Sequence, residues 1–236
     1  MPPKLLCETL NVTKLILASS SPARLRVLRD GGIEPITIAP NLDEDAIEAR
    51  AIEAGLISTT ADVVHILAKA KAEAVAALPE AAGALVLGCD SQLEFGGESL
   101  GKPHQEAVAI ERWTNLRGNS GRLFSGHWLI DNRAIGGNSD ASSNNVRRNP
   151  LPPATGVVSS TVVHFADLTD EEIRDYVATG EPLKVAGAFT IDGLGGAFLR
   201  GIEGDTHTVI GLSLAALREM THRLGVPYTT LWNRKP

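Results

Sequence analysis

Short apolar runs alternate along this chain with stretches of helical periodicity, and that alternation constrains its fold more than any other feature. Leu15-Ile16-Leu17-Ala18, after Lys14, reads as a short buried strand, and the stretch "SSSPARLRVLRD" that follows reads as an amphipathic helix. Ser21 suits its N-cap, and Pro22 suits a first turn whose N–H has no intrahelical partner. Pro35 to Ala39 reads as a second strand, followed by an acidic turn, "NLDEDAIEA". Between Thr59 and Leu78 the apolar positions Val63, Leu67, Ala70, Ala74 and Leu78 recur at helical spacing. "GALVLGC" is a further buried strand with Asp90 at its carboxyl end, "EFGGES" supplies a Gly-Gly hairpin turn, and a helix runs from about Gln105 to Leu116. "RLFSGHWLI" and "TGVVSSTVVHF" read as an antiparallel pair. Thr169 and Glu172 form a capping box for a helix that Gly180 stops, and a last helix spans about Leu214 to Leu224. Strands alternating with helices in this way predict an α/β architecture.

The chain has 236 residues, enough for one large domain or two small ones. Residues 1–13 read as a leader and 14–226 as a single domain. The domain is interrupted by a flexible insertion at 131–154, rich in Gly, Asn, Ser and Pro and without periodicity, and 227–236 form a tail. A formal net charge of -6 argues against a general nucleic-acid binder, which needs a basic face. No apolar run approaches the roughly 18 residues of a membrane span, so the expected location is the cytosol. Cys7 and Cys89 lie far apart and form no CxxC pair, which indicates neither a disulfide framework nor a cysteine zinc site.

Several catalytic signatures are absent: GxxxxGK[ST], GxGxxG and HExxH do not occur, and "GNSGR" misses the GxSxG pattern at Arg122. What remains is a strand-to-helix turn and a set of charged residues at element ends. Ser19 and Ser21 lie at the carboxyl end of a strand and the amino end of a helix, where free backbone N–H groups favour anions. Arg24, Glu44, Lys71, Asp90 and Lys102 are the charged candidates, each also readable as a solvated surface residue. Asp90, after an apolar run, either ends its strand as a turn-former with Ser91 or meets a cation, which at a sheet's carboxyl edge includes a metal. Lys102 lies in "LGKPH", where glycine and proline restrict the backbone.

These landmarks resemble the Maf family of nucleotide pyrophosphatases, also called septum formation proteins, from Lys14 to about Val226. "LILASSSPAR" is similar to the family's LILAS-x-SPRR opening, "NLDEDAI" to its acidic IDE turn and "LAKAKAEAVA" to its LA-x-x-KA helix. "VLGCDSQLEFGGESLGKPHQEAVA" resembles its ADT strand, hairpin and LGKP segment, and "LTDEEIRDYVATGEPLKVAGAFTIDGLGGAFLRGIEGD" followed by "TVIGLSL" its last third.

The resemblance implies an elongated, mixed β-sheet flanked by helices, in two lobes around a nucleotide cleft, often as a homodimer. It implies hydrolysis of a non-canonical or pyrimidine nucleoside triphosphate to monophosphate and pyrophosphate, with Mg²⁺ or Mn²⁺. Asp90 and Glu44 would be catalytic and hold the metal, Lys71 and Lys102 would act on the phosphates, and Ser19, Ser21 and Arg24 would bind substrate. Ala23, Ser91 and Asp192 depart from the family pattern at positions to which the resemblance assigns base discrimination. A nucleotide-binding regulator of cell division, without catalysis, is the alternative; it would have no need of Asp90 and Glu44 together.

Overall fold

A computed structural model describes residues 12–133 and 152–234. Its strands are β1 (Leu15–Ala18), β2 (Ile36–Thr37), β3 (Leu85–Phe95), β4 (Glu98–Leu100), β5 (Ser120–Asp131), β6 (Ala154–Phe165) and β7 (Leu199–Glu203). Its helices are α1 (Pro22–Asp30), α2 (Glu44–Glu53), α3 (Thr60–Ala76), α4 (Glu106–Leu116), α5 (Asp170–Ala178), α6 (Thr206–Ile210) and α7 (Leu214–Arg223). The described strands form one mixed sheet in the order β2-β1-β3-β5-β6-β7, with β4 paired to β3. β1 pairs with β2 and β3 in parallel, whereas β3, β5, β6 and β7 follow one another antiparallel.

Local chemistry sets most of these elements. Ser21 caps α1, Thr59 and Thr169 cap α3 and α5 through complete capping boxes with Asp62 and Glu172, and Gly180 stops α5 at φ 75°. Gly96 and Gly97 take φ of 61° and 85° in the β3–β4 hairpin, a turn that positive φ requires.

Some expected boundaries move. The second strand shrinks to Ile36–Thr37, since it is a sheet edge and Pro35 has no N–H to donate. The acidic turn is a helix instead, because the Asp43 carboxylate accepts from the Ala46 N–H and starts α2 at Glu44. Asp131 and Ala154 belong to strands, and the Asp131 N–H donates to the Pro153 carbonyl, so the paired sheet continues into both ends of the expected insertion. The rest of that insertion, 134–151, and residues 1–11 of the expected leader lie outside the described residues. Thr13 is bonded to Thr230 by backbone and hydroxyl, and Leu231, in the expected tail, is fully buried. β7 and α6 have no counterpart in the sequence reading.

On the face of β1 and β3 that carries Leu15, Leu17, Leu85 and Leu87, α1 and α7 pack with Val27, Leu28, Leu217 and Met220 in an aliphatic cluster. Farther along the same face, Leu93, Leu123 and Val163 join Trp113, Phe165, Tyr176 and Phe189 in an aromatic cluster. Trp113 makes edge-on contacts with Phe165 and Tyr176 and donates its indole N–H to the Ala188 carbonyl at 2.7 Å. The opposite face is covered by α3, over Ile16, Ala18, Val86 and Ile130.

Candidate active site

β3 changes partners in mid-strand. β1 ends where Ala18 pairs with Gly88, and β4 begins where Leu93 pairs with Leu100, both on the edge away from β5. Residues 89–92 therefore have β5 on one side and no strand on the other. This open edge exposes backbone carbonyls and sends successive side chains to opposite faces. Every buried charge of the site gathers there.

On the α3 face, the sheet has a floor of glycine. Gly88 lies two residues before Asp90 on the same face, and Gly126 is directly across from Asp90 on β5. A Cβ on Gly88 would lie 2.2 Å from the Ala68 carbonyl oxygen, and one on Gly126 2.2 Å from that of Val64, so α3 rests with its backbone on the strands. Glycine within a strand marks such an approach, and "LVLGCD" carried that signal unread. The close approach brings Lys71 of α3 down onto Asp90.

Lys71 Nζ lies 2.6 Å from Asp90 Oδ1 and 2.8 Å from Glu44 Oε2. Lys71 and Asp90 are buried, whereas the Glu44 side chain is 41% exposed, so the cluster opens to solvent through α2. Burial raises the Asp90 carboxyl above its ordinary value even though the Lys71 and Arg24 charges pull it down. Glu48, one turn beyond Glu44, was not singled out from the sequence; burial raises its carboxyl too, and the charge of Asp90 adds to the rise. The i, i+4 spacing of the two glutamates on one helix was the available signal.

The other face holds Arg24. Its Nε–H donates to the Gly211 carbonyl at 2.9 Å, Nη1 to the Cys89 carbonyl at 2.8 Å and to Ser19 Oγ at 3.3 Å, and Nη2 to Ser91 Oγ at 3.2 Å. These contacts use four of the five guanidinium N–H groups. Ser91 and Ser125 hydroxyls lie 2.8 Å apart, and Ser125 donates to the Thr208 carbonyl. The protons must therefore run from Arg24 to Ser91, from Ser91 to Ser125 and from Ser125 to α6. His127 completes this polar seam. Its Nε2 accepts from the Ser213 N–H, its Nδ1–H faces the Val157 carbonyl, and burial depresses its pKa to about 4. Cys89 contributes a carbonyl, since burial pushes its thiol up to about 11.

The remaining candidates lie around this core. Ser19 is buried, and its oxygen accepts from the Ser21 N–H and from Arg24, which leaves its own O–H to donate. Ser21 serves as the N-cap of α1. Ala23 is half-buried in the first turn of α1. Lys102 is exposed and makes no ion pair among the described residues; the segment around it is held by His104 N–H to Leu183 O and Gly187 N–H to Gly101 O. Asp192 is paired with Arg26 of α1, a residue the sequence reading left aside. The structure thus brings Glu44, Lys71 and Asp90 together, and separately Ser19, Arg24 and Ser91, with Lys102 in neither group.

Fold and site together define an α/β protein with a buried cluster of charges at an interrupted sheet edge. A family model described as "Maf-like protein" matches residues 14–224, and the chain belongs to that family. A protein of Leifsonia xyli called nucleoside triphosphate pyrophosphatase is 49% identical over 94% of this chain and 97% of its own length. Proteins of the same name from Streptomyces avermitilis and Mycobacterium ulcerans are 45% and 38% identical, over 93% and 95% of this chain and 94% and 99% of theirs. Among solved structures, the Staphylococcus aureus Ham1 protein covers 90% of this chain and 93% of its own at 15% identity and a TM-score of 0.39, a likeness too weak to inform the site.

Proposed function

We propose that this chain hydrolyses a nucleoside triphosphate to the monophosphate and pyrophosphate, as the names of its relatives state for them. The observation that carries the reading is Lys71 held between Asp90 and Glu44 at the open edge of β3. Attack of water on the α-phosphorus breaks the bond to the bridging oxygen, so pyrophosphate leaves and one proton is released. Charge spreads over phosphate oxygens on the way, and fixed cations stabilise it. Lys71 is such a cation, and Asp90 Oδ2, outside the ion pair, can accept the water's proton. Ser19 O–H and the one uncommitted N–H of Arg24 serve as substrate donors, and Lys102 reaches the phosphates from solvent. Ser91, whose proton is committed to Ser125, offers a base only an acceptor; Ala23 and Asp192 are the other positions assigned to base choice.

The donor set also suits Mg²⁺ or Mn²⁺. Lys71 engages one oxygen of each carboxylate, so Glu44 Oε1, and Asp90 Oδ2 where it does not instead take the water's proton, would be hard ligands. When bound, the ion would supply Lewis-acid neutralisation of phosphate charge. The net charge of -6 fits a reading with no nucleic-acid partner, and no helix among the described residues is long and apolar enough to cross a membrane. A homodimer in the cytosol completes the proposal.

A panel of canonical and modified triphosphates, incubated with Mg²⁺ and with Mn²⁺, tests the reading when pyrophosphate and orthophosphate are scored separately. Equal amounts of monophosphate and pyrophosphate are expected. Diphosphate as the first product, with orthophosphate, overturns it.

A further inference from the structure

Arg24 and Arg26 leave α1 in opposite directions, since two helical residues turn through about 200°. Arg24 faces the sheet and uses four of its five N–H groups there. Arg26 faces outward, and its Nη2 pairs with Asp192 Oδ2. The Arg26 side chain is 57% exposed and that of Asp192 22%. Val27 and Leu28 place α1 in the aliphatic cluster, whereas Phe189 and Ile191 place the Asp192 segment against the aromatic one. Among the described residues this is the one ion pair that joins α1 to the aromatic half.

An exposed ion pair contributes little to stability and exchanges readily. Helical side chains lean toward the helix N-terminus, and the turn formed by Ser19 to Ser21 adjoins that end of α1. Ala23, one turn earlier on the same helix face, adds only a methyl and no competing charge. This outward face of α1 therefore carries one cation beside the helix start, and a single carboxylate holds it. A polyphosphate carries several charges and accepts two parallel guanidinium bonds, so it competes well for that cation.

We propose that Arg26 is a substrate-positioning residue, held on Asp192 and handed to a phosphate oxygen of the entering triphosphate. The proposal rests on the pyrophosphatase reading, but its test does not depend on turnover. Inorganic tripolyphosphate, which has no base and so avoids any role of Asp192 in base choice, is titrated into the full chain without metal. Arg26→Gln weakens its binding about tenfold, and Asp192→Asn, which removes the competitor at constant shape, tightens it several-fold. The gain from Asp192→Asn disappears in the Arg26→Gln background, and Arg26→Lys restores part of the affinity. With nucleotide, Arg26→Gln raises KM and leaves kcat within about twofold, as loss of uniform binding does.

Melting temperatures confirm that these exposed substitutions leave the fold intact. An unchanged affinity in Asp192→Asn, or a gain that persists without Arg26, overturns the hand-over; the latter would show only that a negative charge had been removed. Wild-type protein that releases no pyrophosphate would instead overturn the pyrophosphatase reading, with the tripolyphosphate titration still deciding the role of Arg26.

Discussion

Between Leu85 and Gly88, β3 lies between parallel β1 and antiparallel β5, and its side chains are buried on both faces. From Leu93 onward β4 replaces β1, and the buried Leu93 is followed by the half-buried Glu94 and Phe95. The first half is closed by aliphatic packing and by a helix resting on glycine; the second is closed by rings around Trp113. Over residues 89–92 the edge away from β5 carries no strand, although Cys89 still belongs to the aliphatic cluster and Gly126 of the glycine floor lies across from Asp90. The comparison teaches that the candidate site is the interval in which one strand exchanges its neighbours, where polar and charged groups gather because no strand pairs with its outer edge.

The sharpest way to break this view is Asp90→Asn. It keeps size and removes charge, so turnover should fall by about 10² to 10⁴, the range for a lost acid or base. Steady-state turnover at saturating Mg²⁺ or Mn²⁺ measures it, with a melting curve as control. Near-normal turnover in a folded protein would reduce the partner exchange to a structural feature.

Trp113→Ala probes the second half, where a fully buried ring loses three edge-on neighbours and its bond to Ala188. Stability should drop by about 3–5 kcal/mol in denaturant titration. If the halves are packed independently, the folded fraction keeps its Lys71 cluster and its metal-free nucleotide affinity.

His127 sharpens the comparison at the seam itself. Its pKa near 4 lies below the ordinary 6.5, so the unfolded chain takes up this proton first as pH falls. Its contribution is complete above pH 6.5 and lost as pH falls from 6.5 toward 4, by up to about 3 kcal/mol. Wild-type stability measured across that window should slope more steeply than that of His127→Gln. Equal slopes would locate the acid sensitivity in other groups.

Gly88→Ala drives a methyl to 2.2 Å from the Ala68 carbonyl oxygen and 2.7 Å from the Ala72 nitrogen, backbone atoms that clear only if α3 shifts. Overpacking of this kind costs about 1–3 kcal/mol. Because α3 carries Lys71, turnover measured well below the melting temperature should fall too. A destabilised variant with full turnover would separate the glycine floor from the chemistry.

The residues of these experiments differ in how far they could be read in advance. Thr169 and Glu172 are three positions apart, and Gly96-Gly97 adjoin, so their structures depend on bonds the local chain makes with itself. Leu15 to Ala18 read as a buried strand because β1 is covered on both faces, which produces a continuous apolar run. β7 escaped notice because its burial pattern has no fully buried position, so little apolar alternation marks Leu199 to Glu203. Two-residue β2 and the helix in place of the acidic turn show the same limit. Edge pairing and one capping carboxylate decided them, and neither leaves a periodic trace.

The sequence alone determined most of the individual elements, with their caps and turns, and the family motifs that singled out Glu44, Lys71 and Asp90, because these depend on neighbours within a few residues. Which charges meet was decided by the tertiary structure. Lys71 and Asp90 are separated by 19 positions, Arg24 and Ser91 by 67, and Arg26 and Asp192 by 166. The physical reason is that an ion pair depends on distance in space, and distance in space was set here by strand order and by two glycines that let a helix rest on a sheet.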